Sequence, residues 1–119
     1  MERLAVYGSL KPGEVNHAVV ASIPGTWSEG WVLGFLLDRG WGAGEGYPAI
    51  RLSDEGERVP VSVLESDELA EHWERLDAFE GEEYRRIVAT VHHASGETRG
   101  AYIYALNEHE SEPLRSRSR

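Results

Sequence analysis

Two segments of the chain carry residues that could act together on a small substrate. They are Leu4-Ala5-Val6-Tyr7-Gly8-Ser9-Leu10 near the start and Asp77-Ala78-Phe79-Glu80-Gly81 much later. The first reads as a buried strand running into a tight glycine turn, which exposes backbone N–H groups able to hold a carboxylate or a developing oxyanion. The second puts one carboxylate, Glu80, in an aromatic, glycine-bounded corner after a helix. Burial there would raise its pKa toward neutrality and make it a usable general base. An anion cradle plus one base is a minimal enzyme. Ser9 lacks a Gly-x-Ser-x-Gly elbow and is read as a binding residue, not a nucleophile. Glu82 and Glu83 lack the Phe-Glu-Gly context and are expected in solvent.

Other candidates carry less chemistry. His17 follows Asn16 at a helix start, where capping or loop anchoring is the simpler role. His92 and His93 are neighbours on a strand, so they point to opposite faces, and no third ligand stands at a fitting spacing. Neither a metal nor a cofactor is expected. With no cysteine, thiolate zinc sites, cysteine nucleophiles and disulfides are excluded. The Gly40 to Gly46 stretch lacks the Gly-Lys-Ser/Thr ending of a phosphate loop, although Trp41 within it could cover a cavity mouth. Trp27, Trp31 and Trp73 read as core or rim.

A formal charge of −9 argues against nucleic acid as a partner, because polyanion binding depends on Lys and Arg. No apolar run approaches the roughly 18 residues of a membrane span, and no signal-like segment opens the chain. A protein without a membrane partner, placed in the cytoplasm, is the expectation. No sticky helix or heptad repeat is evident, so a monomer is the default.

Positioning these residues requires a scaffold, and 119 residues suit one domain. Strand patterns run over residues 3–7, 31–38, 47–52, 59–65, 84–92 and 98–106. A short helix is expected over 14–22. Leu69, Trp73 and Leu76 recur at i, i+4 and i+7 behind Ser66 as N-cap, which predicts an amphipathic helix over 67–77. Six strands arranged mostly as hairpins imply an α+β domain, a small mixed or antiparallel β-barrel with one or two flanking helices. The domain is expected to span residues 1–106, with 107–119 as a polar, frayed tail.

Three blocks in register carry a resemblance. Tyr7-Gly8-Ser9-Leu10-Lys11-x-Gly13-x-x-Asn16-His17, Gly46-Tyr47-Pro48-Ala49 and Leu76-Asp77-x-Phe79-Glu80-Gly81-x-x-Tyr84-x-Arg86 resemble the gamma-glutamylcyclotransferase-like family, which includes gamma-glutamylamine cyclotransferases and AIG2-like proteins. The resemblance implies a compact barrel with the Tyr7 to Leu10 loop and Glu80 facing one cavity. It implies further that the loop holds the glutamyl part of a small gamma-glutamyl substrate and that Glu80 is the acid/base. Tyr104 corresponds to a tyrosine that faces the family's cavity, with core packing as its other reading. The implied reaction is intramolecular. The α-amine attacks the γ-carbonyl, closing a five-membered ring and releasing 5-oxoproline and an amine. Oriented intramolecular attack is worth on the order of 7 to 11 kcal/mol, and a positioned base adds about 10² to 10⁴ in rate. Two alternatives stand beside it: a noncatalytic module binding a small carboxylate, and a related gamma-glutamyl acyl transfer.

Overall fold

The structure is a computed structural model and describes residues 2–8, 10–37 and 49–107. Six strands form one sheet: β1 (Glu2–Val6), β2 (Thr26–Leu37), β3 (Ala49–Leu52), β4 (Glu57–Ser66), β5 (Tyr84–His92) and β6 (Thr98–Leu106). Neighbours run β1-β4-β2-β3-β6, and a parallel β1–β6 pairing closes these five into a mixed barrel. The extra strand, β5, lies antiparallel along the whole of β6 and touches β2 at Trp31 and His92. The α+β barrel expected from the strand pattern is therefore present.

Period-two alternation sorts side chains into two cores. Ala5, Val32, Val59, Val61, Val63, Ala101, Ile103 and Ala105 of the ring strands form one core of small or β-branched groups, joined by Ala89 of β5, which suits a ring of only five strands. Leu4, Val6, Leu64 and Tyr104 alternate with them and point the other way. There they meet Leu10, Val20, Ile23, Leu69 and Leu76 in an outer layer beneath the helices. The barrel is closely wound. At Gly30, where β2 meets β5, an added Cβ would stand 2.7 Å from the His92 carbonyl oxygen. Pro60 is accommodated because β1 pairs only with Ser62 to Ser66 of β4, leaving that edge of position 60 unused.

Two helical segments differ from expectation. The first is mostly a run of i to i+3 turns, with only α1 (Ala18–Ala21) helical; Asn16, Val15, Val19 and Val20 are weak helix formers. The second is broken. Ser66 Oγ accepts the Glu68 N–H at 3.0 Å, a 3₁₀ turn covers Leu69–Glu71, and α2 spans Trp73–Glu80. The tight turn buries Leu69 under the sheet, and the chain resets at His72 (φ −112°, ψ −4°) before Leu76 takes its place in the same core. α2 then runs past the expected end at residue 77. Gly81, at φ +86°, stops it and donates to the Asp77 carbonyl at 3.0 Å.

Candidate active site

Glu80 is the last residue of α2, not a residue beyond it, and it is buried, at 8% exposure. It makes no hydrogen bond or ion pair with another described residue. Burial pushes its carboxyl up to about 7, because an apolar setting disfavours the charged form. Its charge is felt by three phenols, those of Tyr7, Tyr84 and Tyr104. Glu82 and Glu83, by contrast, lie in solvent as expected.

Each phenol is held from a different strand. Tyr7 follows β1; its hydroxyl donates to the Tyr104 carbonyl at 2.7 Å and accepts the Ile50 N–H at 3.1 Å. Burial raises its pKa far above the ordinary phenol range, so it stays a neutral brace. Tyr84 opens β5, and burial together with the Glu80 and Glu83 charges pushes it up to about 12. Tyr104, on β6, is buried and donates its hydroxyl to Asp77 Oδ1 at 2.6 Å. Burial first, and that bond second, push its pKa well up.

After Tyr7 the chain turns, and one backbone bond ties Lys11 back to Gly8. Gly8 accepts the Lys11 N–H at 3.0 Å, and the space where a Gly8 Cβ would stand is open. The Leu10 side chain is buried in the outer core, while its carbonyl accepts from His17 Nδ1 at 2.9 Å. His17 thus anchors the loop, with its ring 5.4 Å from that of Trp27. Neither the Gly8 nor the Leu10 N–H finds an acceptor among the described residues. Ser9 lies outside the described residues, as do Trp41 and the Gly40 to Gly46 stretch.

Sequence reasoning left Asp77 and Arg86 without a role, although both stand in the motif around Glu80. Arg86 donates to Asp77 through Nε at 2.9 Å and Nη2 at 3.3 Å, and its guanidinium lies 4.4 Å from the Trp73 ring. Arg86 beside it, then the Tyr104 hydroxyl, hold the Asp77 carboxyl below the usual carboxylate range. Asp77, Ala78, Gly81, Glu82, Tyr84, Arg86 and Tyr104 line an open depression of about 570 Å³. Glu80 is not on its wall.

Elsewhere, His92 stacks on Trp31 at 4.1 Å and His93 Nδ1 lies 3.2 Å from the Glu29 carbonyl. Among the described residues, no three His, Asp or Glu side chains converge as metal ligands would. No described helix is long and apolar enough to cross a membrane.

Similar proteins bear on this arrangement. A crystal structure of YkqA from Bacillus subtilis matches at 29% identity and a TM-score of 0.67, over 89% of this chain but only 36% of YkqA. The chain therefore spans about a third of that relative. An uncharacterized protein, PH0828, from Pyrococcus horikoshii matches at 25% identity and TM-score 0.61, over 89% of this chain and 78% of its own. An AIG2-like protein of Mus musculus shares the fold at 24% identity and TM-score 0.67, over 88% of this chain and 76% of its own. No curated protein sequence matches. Residues 4–118 match the family described as gamma-glutamyl cyclotransferase, AIG2-like, and with that match and the barrel both in place, the chain belongs to that family.

Proposed function

We propose that this chain is a gamma-glutamyl cyclotransferase acting on a small gamma-glutamyl amine or peptide, with Glu80 as general acid/base. The observation that carries the reading is a carboxyl poised near neutrality by burial, on the helix end that faces Tyr7 at the mouth of the glycine turn. A base is most useful when its pKa lies near working pH.

Glu80 takes a proton from the substrate's α-ammonium. The freed amine attacks the γ-carbonyl, a C–N bond forms as the old amide C–N bond breaks, Glu80 returns its proton to the departing nitrogen, and the attacking nitrogen gives up a second proton to become the lactam N–H, so that the amine leaves as its ammonium. Backbone N–H groups of the Tyr7-Gly8-Ser9-Leu10 turn bind the substrate carboxylate or stabilise the oxyanion, and Tyr104 helps to shape the wall. The reaction needs neither metal nor covalent intermediate, since the substrate carries its own nucleophile.

The test is release of 5-oxoproline, measured by mass spectrometry, from gamma-glutamyl amino acids, gamma-glutamyl-lysine and glutathione. Release by the native protein and its loss in Glu80→Gln is the expected result. No release by a folded native protein would turn the reading toward a noncatalytic binder of small carboxylates.

A further inference from the structure

We infer that Asp77 is a positioning residue for the Glu80 site: clasped between Arg86 and Tyr104, it fixes the last turn of α2 against β5 and β6 and so sets where Glu80 sits. The inference rests on the reading of Glu80 as the base.

Asp77 stands one turn before Glu80 on α2, exposed beside the buried face that carries Leu76 and Glu80. Asp77 Oδ1 accepts from two elements at once, Arg86 Nε of β5 at 2.9 Å and the Tyr104 hydroxyl of β6 at 2.6 Å. Arg86 and Tyr104 are themselves direct cross-strand partners. The guanidinium cannot swing freely, because it lies over the rings of Trp73, at 4.4 Å, and Tyr102, at 5.3 Å. One carboxylate thus reads the position of two strands and transmits it to the helix end. The ion pair of Arg99 with Glu97 stays within one hairpin and joins no second element, whereas the half-exposed Asp77 carboxylate joins α2 to two strands.

Among the described residues, the titratable groups that feel the Glu80 charge from the packed elements are Tyr7 at the end of β1, Tyr84 of β5 and Tyr104 of β6. All three are neutral, so the setting of Glu80 depends on how deeply the helix end is held among them. Releasing Asp77 lets that turn lift and water reach the carboxyl.

The experiment follows the Glu80 side-chain carboxyl by ¹³C NMR titration, assigned with Glu80→Gln, in the native protein and in three variants, alongside steady-state kinetics. In Asp77→Ala the Glu80 midpoint is expected to fall by about one pH unit or more. Its kcat should drop on the order of tenfold or more with KM little changed. Asp77→Asn keeps an oxygen that can accept from both donors and should retain the native midpoint. A native midpoint in Asp77→Ala overturns the inference, and so does an Asp77→Asn shift as large as that of Asp77→Ala, which would assign the effect to charge. Should Asp77→Ala not fold, Tyr104→Phe removes only the hydroxyl and must shift the midpoint in the same direction; an unmoved midpoint there is equally fatal. If the native protein turns over no substrate, the cyclotransferase reading fails, while the titration still decides the clasp.

Discussion

The Tyr7 hydroxyl donates to the Tyr104 carbonyl at 2.7 Å across 97 positions of sequence, and this bond fills a gap in the barrel. β6 pairs with β1 at Tyr102 and Ile103, then with β3 at Ala105. Tyr104 falls at the handover, where neither strand's ladder reaches. The phenol serves the carbonyl there and also accepts the N–H of Ile50, the residue of β3 opposite Ala105. The residue that starts the glycine turn therefore also bridges β6 and β3 where the barrel closes, so one side chain serves both the barrel and the proposed site.

Tyr7→Phe should consequently damage both. It leaves two partly buried backbone groups without a partner, which costs about 1–3 kcal/mol. Urea unfolding at neutral pH should show that loss, and 5-oxoproline release should fall with it. Native stability in the variant would mean that water replaces the phenol without cost.

The acid limb of the rate profile should report Glu80. Its carboxyl, raised to about 7 by burial, must be ionised to accept a proton. kcat/KM measured from pH 5 to 9 should therefore rise with pH and level off above about 7. An acid limb centred in the ordinary carboxylate range would assign the base to another group.

Much of the scaffold was legible because its signals are local. Strands β5 and β6 coincide with the alternation read over 84–92 and 98–106, and the turn between them carries its own marker in Gly96 at φ +96°. β2 begins earlier than its apolar run, because Thr26 to Gly30 become strand through pairing with β4, a partner distant in sequence. The broken helix before α2 reflects the burial of Leu69, again a tertiary demand. Glu80 and Tyr7 stood out by local context. Asp77 did not, since its meaning comes from Arg86 and Tyr104, which only the closed sheet brings to it. Their joint presence in the block from Leu76 to Arg86 was the available signal.

His17 offers a test of the turn itself. With Nδ1 protonated, as its carbonyl partner requires, the imidazole donates to Leu10 at 2.9 Å and packs beside Trp27. His17→Ala should cost about 1 kcal/mol of stability. Because Leu10 ends the cradle, KM should rise by a larger factor than kcat falls. An unchanged KM would show that the turn holds its shape without the anchor.

Glu80→Gln should be more stable than the native protein at pH 8 although it is inactive. The folded protein holds the Glu80 proton up to about 7, whereas an unfolded chain releases it near the ordinary glutamate value of 4.5. Between those values the native state binds more protons than the unfolded one, so its stability falls as pH rises. Above about 7 the full penalty of a buried charge is present, roughly 3 kcal/mol. Glutamine carries no charge and escapes it. Urea denaturation of both proteins should give nearly equal stabilities close to pH 4.5 and a gap that opens through pH 7 in favour of the variant. A constant gap across that range would place the Glu80 carboxyl in water, and with it would go the physical basis for treating Glu80 as a base tuned by burial.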